Sequence, residues 1–333
     1  MKISILAAGA WGSALALAFA RHHAVTLWAN ETDVALEIAA TRENRRFLPG
    51  FVFPETILAT NDLAAALLQS DLIIIATPIA GLRSTLALIL KHYADCLPSP
   101  IIWVCKGFEA ESGKLPHNVL EEVFSDPLRR PSHGALSGPS FAQDVAAGLP
   151  TAITCASNDM DFARRIAADL HNNTLRIYAS DDLVGVETGG ALKNILAIAT
   201  GISDGLSLGD NARAALMTRG LAEMSRMGEA LGGKKSTFLG LAGAGDLILT
   251  CTGNLSRNRA VGLKLAAGKS LPDILAELGH VAEGVSTALE AERLAVKLGI
   301  DMPITQAVSS ILRGALSPHE AAAALLARNP AEE

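Results

Sequence analysis

Residues 3–7, Ile-Ser-Ile-Leu-Ala, form a short apolar run that reads as a buried strand, and helical periodicity follows from about Ser13 to Arg21. The alternation then recurs. Val25 to Trp28 predicts a second strand, with helical sequence from Asp33 to Ala40 after it. Leu72 to Thr77, an Ile-rich run closed by Pro78, is the strongest strand signal in the chain. Ile101 to Cys105 predicts another strand, stopped at Lys106-Gly107, and helical patterns cover Leu82–Tyr93 and Leu115–Phe124. Thr151–Ala156 and Leu175–Tyr178 complete the expected sheet, with a helix between them. Strand alternating with helix is the pattern of a parallel sheet covered on both faces.

After about Asp181 the pattern changes. Leu183–Ile202, Ala212–Leu231 and Val285–Leu298 carry helical periodicity, and no convincing strand intervenes. The expected boundaries are therefore 1–180 for a sheet domain and 181–333 for an all-helical one, with the cleft between them as the expected site. A chain of 333 residues suits two such domains. Half the residues are hydrophobic but only 4% are aromatic, which favours helices packed closely on a parallel sheet. A net charge of −6 argues against nucleic acid or an anionic membrane as the main partner, while leaving room for a local phosphate pocket.

The cysteines, Cys96, Cys105, Cys155 and Cys251, show neither metal-ligand spacing nor a disulfide framework. They read as reduced and mostly buried, and the expected location is the cytoplasm. The uncharged stretch between Lys2 and Arg21 resembles a signal peptide in hydropathy, but Gly9, Trp11, Gly12 and Ser13 interrupt it. Neither export nor membrane insertion is expected.

The first strand runs into Ala7-Ala8-Gly9-Ala10-Trp11-Gly12 and then a helix. In the full dinucleotide fingerprint the first glycine makes the turn, the second admits the pyrophosphate, and the third lets helix meet strand. Gly9 and Gly12 fill the second and third places, and Ala7 stands in the first. A methyl there is tolerable only at negative φ, since left-handed Ala costs about 1 kcal/mol or more. The position between the first strand and first helix predicts a Rossmann-type, doubly wound, mostly parallel sheet followed by an all-α C-terminal domain. At the end of strand two, an acid would select NAD and an arginine NADP. Asn30 is neither, and Glu31 stands one residue further on, so the choice stays open.

Two lysines stand out. Lys106 follows a strand at the carboxyl edge of the sheet, where open α/β sheets bind ligands. Lys193 lies beside the apolar stripe Leu192, Ile195, Leu196 and Ala199, over the helical glycines Gly189 and Gly190. Those glycines imply a close approach, by a ligand or by a neighbouring helix, and Lys193 itself reads equally as catalytic or as a snorkelling surface residue. The loop from Leu136 to Ala142 is small and rich in turn residues. Ser256, Arg257 and Asn258 stand where a helix begins and form a phosphate cradle or, alternatively, an N-cap with solvated arginines.

Five segments together resemble bacterial NAD(P)-dependent glycerol-3-phosphate dehydrogenase over essentially the whole length. They are Ala-Gly-Ala-Trp-Gly near the start, Cys-Lys-Gly-Phe-Glu at 105–109, Leu-Ser-Gly-Pro-Ser-Phe-Ala at 136–142, Gly-Gly-Ala-Leu-Lys-Asn at 189–194, and the run from Gly245 to Arg259. The resemblance implies reversible hydride transfer between dihydroxyacetone phosphate and NAD(P)H, giving sn-glycerol 3-phosphate for phospholipid synthesis. It implies Lys193 as general acid/base, with Lys106, Gly138, Ser140, Lys193, Asp246, Ser256, Arg257 and Asn258 as substrate contacts. It implies Gly9, Ala10, Trp11, Gly12, Asn30, Lys106, Ala142, Arg257, Val281 and Glu283 as cofactor positions. It involves no metal, leaves a homodimer open, and gives no sign of nucleic-acid binding. Two departures are Ala7 for the family's first glycine and Asn30 where an arginine often contacts the adenosine end. The rivals are a related dehydrogenase acting on a 3-hydroxyacid and a dinucleotide-binding redox sensor without turnover.

Overall fold

Strands buried on both faces need apolar residues at every position, and the first half of the chain supplies them. In a computed structural model, which describes residues 1–94, 96–278 and 282–328, they form an eight-stranded sheet. In chain order the strands are β1 (Lys2–Leu6), β2 (Ala24–Trp28), β3 (Glu43–Asn44), β4 (Leu48–Val52), β5 (Ile57–Thr60), β6 (Leu72–Ile75), β7 (Ile101–Trp103), β8 (His133–Ser137), β9 (Thr151–Ala156) and β10 (Leu175–Ser180). The sheet order is β10-β9-β8-β7-β6-β1-β2-β5, and only the β8–β9 pair is antiparallel. β3 and β4 form a separate antiparallel hairpin. Helices α1 (Ala10–Phe19), α2 (Thr32–Thr41), α3 (Leu63–Leu67), α4 (Ile79–His92), α5 (Pro116–Val123), α6 (Ala142–Ala146) and α7 (Met160–Leu170) alternate with these strands.

From Leu183 onward the described residues are helical. They form α8 (Leu183–Gly205), α9 (Gly209–Ala230), α10 (Lys235–Phe238), a π-helical turn (Leu241–Gly245), α11 (Asp246–Thr252), α12 (Arg257–Ala266), α13 (Leu271–Leu278), α14 (Glu283–Leu298), α15 (Pro303–Leu312) and α16 (Pro318–Leu326). The chain divides into two compact units, Met1–Cys105 with Pro116–Leu183, and Lys106–Leu115 with Val184–Glu333. Lys106 thus follows β7 in sequence but belongs to the helical unit, where Phe108 and Leu115 enter the core. No single described helix is long and apolar enough to cross a membrane.

The chain leaves β1 for β2 and β5 on one side, then returns to β6 on the other. That reversal puts the topological switch between β1 and β6, and the loop at the carboxyl end of β1 is Ala7 to Gly9. Helix α1 starts there at Ala10, three residues before the helical periodicity suggested, with Gly9 at its N-cap and no side chain capping it. Its first N–H groups are therefore free of intrahelical partners. A Cβ on Gly12 would collide with the Ala7 carbonyl and lie 3.1 Å from the Ala76 Cβ, so this glycine does admit helix to strand. Ala7 itself adopts φ +94, the left-handed conformation in which its methyl is unfavourable.

Four strands escape the sequence pattern. β5 is a short run after a polar loop, β8 begins at His133 and Gly134, and the β3–β4 hairpin carries Arg45 and Arg46 between its strands. Of the four thiols, all free, Cys155 and Cys251 are buried, Cys105 is half-buried and Cys96 is exposed. The expectation of mostly buried cysteines thus meets an exception at Cys96.

Ala7→Gly removes the left-handed strain but restores backbone freedom to the unfolded chain, and the first effect is the larger. A gain of about 0.5–1 kcal/mol is expected, read as a rise of roughly 1–3 °C in Tm. A fall in Tm would contradict a positive φ at this position.

Candidate active site

Helix α8 is buried on every face from Gly185 to Ser203, so a lysine at its middle must find its partner inside the protein. Lys193 is 6% exposed, which excludes the snorkelling alternative. Its Nζ donates to Oδ1 of Asp246 and, at 2.9 Å, to Oγ1 of Thr250. Lys106 donates to the other carboxylate oxygen, Oδ2 of Asp246. Two ammonium groups from positions 87 residues apart in sequence (193 − 106) thus converge on one carboxylate with no exposed surface.

The backbone explains how Asp246 arrives there. The π-helical turn Leu-Ala-Gly-Ala-Gly lacks bulky side chains after its first residue and delivers Asp246 to the first position of α11, at the positive end of that helix. A Cβ on Gly189 would lie 2.5 Å from the Ala242 carbonyl oxygen, so the close approach that this glycine permits is by backbone. Between ligand and neighbour, the neighbour holds at Gly189. One turn along α11, the Thr250 hydroxyl donates to the Asp246 carbonyl at 2.6 Å and so presents its lone pair to Lys193. Thr250 was not among the expected site residues, although its i+4 spacing from Asp246 was a usable signal.

Burial dominates the Lys193 amine and pulls it down to about 7, opposed by the Asp246 carboxylate and assisted by the Lys106 charge. For Asp246 burial works the other way, against ionisation. The charges and hydrogen bonds of Lys106 and Lys193 overcome it and hold the carboxyl below its ordinary range. With both amines protonated the cluster carries a net positive charge, suited to an oxygen that gains negative charge. The neighbouring Cys251 thiol is pushed up to about 12 by burial and takes no part as a nucleophile.

A second polar group stands beside the first. Asn258 donates to Oδ1 of Asn194 at 2.9 Å and accepts from the Gly284 amide at 3.1 Å, all buried. Asn194 was quoted in its motif but not expected in the site, and a bare i+1 position gave no hint of that pairing. Ser256 is the N-cap of α12, accepting from the Arg259 amide. Arg257, the first residue of that helix, is exposed, and no hydrogen bond or ion pair engages its guanidinium among the described residues. Arg259 instead pairs with Asp204. Glu283 opens α14 and is half-buried, while Val281 lies outside the described residues.

The remaining expected positions are in the sheet unit. Gly9, Ala10, Trp11 and Gly12 form the β1–α1 junction, and Asn30 is exposed after β2. Gly138 takes φ +143 after β8, where any side chain would be strained, and the Ser140 hydroxyl donates to its carbonyl at 3.1 Å. Ala142 begins α6, which packs on α1. The open side of Gly9, where a Cβ would meet nothing within 4 Å, and the uncapped α1 terminus fit a dinucleotide pyrophosphate.

Comparison with known proteins identifies the family. A family model for the NAD-dependent glycerol-3-phosphate dehydrogenase N-terminus matches residues 2–163, and one for the C-terminus matches residues 182–323. The chain is 59% identical to a glycerol-3-phosphate dehydrogenase (NAD(P)+) of Dechloromonas aromatica over 100% of this chain and 99% of the relative. It is 54% identical to the protein of that name from Aromatoleum aromaticum over 100% of both. A crystal structure of glycerol-3-phosphate dehydrogenase from Coxiella burnetii superposes with TM-score 0.92 at 44% identity, covering 98% of this chain and 99% of that one.

Asp246→Asn removes the carboxylate that faces the buried Lys193 and the half-buried Lys106, a change that costs about 3–5 kcal/mol in comparable buried pairs. Lys193 already sits below its unfolded value near 10.4, so between about 7 and that value the unfolded chain holds the extra proton and its contribution to stability rises with pH. Without the carboxylate the folded value falls further. The destabilisation is therefore expected to be greatest below that lowered value, to ease as pH rises toward 7 and to level off above it, as thermal melts across pH 5 to 9 would show.

Proposed function

Since the chain belongs to the NAD-dependent glycerol-3-phosphate dehydrogenase family, we propose that it interconverts dihydroxyacetone phosphate and sn-glycerol 3-phosphate. The observation that carries the reading is the buried Lys193 amine, held between Asp246 and Thr250 with Lys106 on the far carboxylate oxygen. The unit of residues 1–105 and 116–183 would carry the pyrophosphate loop, and the unit of 106–115 and 184–333 the lysines that work on the carbonyl. The reaction runs in the cytoplasm and supplies the glycerol phosphate backbone of phospholipids.

Gly9, Ala10, Trp11 and Gly12 would hold the cofactor pyrophosphate, with Asn30, Lys106, Ala142, Arg257, Val281 and Glu283 as further contacts. When bound, the nicotinamide supplies the hydride to the substrate or takes it back. Lys106 and Lys193 polarise the carbonyl oxygen of the ketone, and Lys193 gives that oxygen its proton. In the oxidising direction neutral Lys193 removes the hydroxyl proton. Its value of about 7 lets one amine act as acid and as base near neutrality. Asp246 keeps both amines in place, and Thr250 fixes the direction of the Lys193 nitrogen. Ser256, Arg257 and Asn258 grip the phosphate and hold the carbonyl still, which can supply several kcal/mol of barrier reduction, and the resemblance adds Gly138 and Ser140 as substrate contacts.

Nicotinamide absorbance, followed with dihydroxyacetone phosphate and with NADH or NADPH in turn, tests the assignment directly. Turnover of a keto acid in place of the phosphorylated ketone would move the chain to a different substrate class, and NADH binding without any turnover would make it a sensor. Lys193→Met should fold, bind cofactor and lose most of kcat. In the parent protein, kcat/KM for ketone reduction should fall above about pH 7, and that for alcohol oxidation should rise through the same value. Near-normal turnover by Lys193→Met would remove Lys193 from its role. Arg257→Ala deletes an exposed cation without a protein partner, so Tm should hold while KM for the phosphorylated substrate rises about 10–100-fold. An unchanged KM would displace the cradle.

A further inference from the structure

The β1–α1 junction is an unusual place for a polar side chain to be fully hidden, yet Asn44 of the β3–β4 hairpin reaches it with no exposed surface. Its Nδ2 donates to the Ala8 carbonyl at 2.7 Å and to the Ser13 hydroxyl at 2.8 Å, while its Oδ1 accepts from the Phe47 amide at 3.1 Å. One amide therefore ties the turn of the hairpin to both sides of the loop, the carbonyl before Gly9 and the first turn of α1. We propose that Asn44 is a positioning residue for the dinucleotide, acting through the Ala8–Gly9 peptide. The inference rests on reading this junction as the site of the cofactor's phosphates.

The argument is geometric. In a trans peptide the N–H points opposite to the C=O, so fixing the Ala8 carbonyl on Asn44 turns the Gly9 N–H away from the hairpin. No protein acceptor engages that N–H among the described residues, and a Cβ on Gly9 would meet open space. The clamp thus presents one backbone donor beside the free N–H groups at the start of α1. Ala7 makes such a clamp necessary. With φ +94 on a residue that resists it, the loop relaxes toward another backbone orientation unless something holds it. The Ala7 amide is held by the Trp28 carbonyl at 2.9 Å, and Asn44 holds the Ala8–Gly9 peptide beyond it.

Two substitutions separate positioning from hairpin stability. Asn44→Asp keeps the volume and the acceptor for the Phe47 amide but turns an anion toward the Ala8 carbonyl, and Asn44→Ala removes both functions. Each is expected to raise the Kd for NADH, read by quenching of protein fluorescence, at least tenfold. Turnover at saturating NADH and KM for dihydroxyacetone phosphate should stay within threefold. Ile166→Val, a truncation in the same core, lowers Tm and should leave Kd within threefold. Folded Asn44 variants that bind NADH as the parent does would overturn the clamp while leaving the phosphate site standing. A parent protein that binds neither NADH nor NADPH would sink both. Should neither variant fold, hydrogen exchange on the parent decides: NADH must slow exchange at 44–47 together with 8–13, and unprotected amides at 44–47 refute the coupling.

Discussion

One carboxylate has to neutralise two ammonium groups, one buried and one half-buried, and the helical unit is arranged around that obligation. Asp246 can accept from both Lys193 and Lys106 because each takes a different oxygen. An isolated buried amine would simply lose its proton, and an isolated buried carboxylate would gain one. Together they stay ionised enough to matter, and the surplus of one cation is what a developing oxyanion needs. The arrangement binds three distant stretches of chain, so its position is as fixed as the core beneath it.

That core is packed most closely where α8 carries glycine. Helix α8 has no solvent face along most of its length, and glycines allow other backbones to lie directly on it, the π-helical turn at Gly189 among them. Close backbone packing is the reason a short, rigid path leads from α8 to α11, and it explains why the Lys193 side chain meets Asp246 and Thr250 instead of water. The sheet unit uses backbone in the same spirit. At the start of α1, Gly12 lets the helix lie against β1 and the buried Asn44 holds the Ala8 carbonyl, so backbone and one amide shape the loop.

Strongly patterned elements were legible because their physics is local. Ile-rich strands such as β6 and β7 are apolar at every position, and only burial between two helix layers accommodates that. β8 and the β3–β4 hairpin were illegible for the opposite reason: their strands are short, polar or glycine-containing, and their stability comes from partners far along the chain. Asn44 shows the cost of that blindness. An asparagine between charged residues reads as solvated turn, and nothing local says that Ala8 and Ser13 will close over it.

Legible in the residues alone were the alternation of the strongly patterned strands and helices, the switch to an all-helical second half, and the glycine-marked loop at the end of the first strand. Periodicity and steric tolerance are properties of short segments, and they survive without a partner. Tertiary structure alone decided that Lys193 is buried, that its partner is Asp246, that Lys106 sides with the helices, and that Ala7 is strained. Each of those depends on which surfaces meet, and burial, pairing and amine basicity exist only once they do.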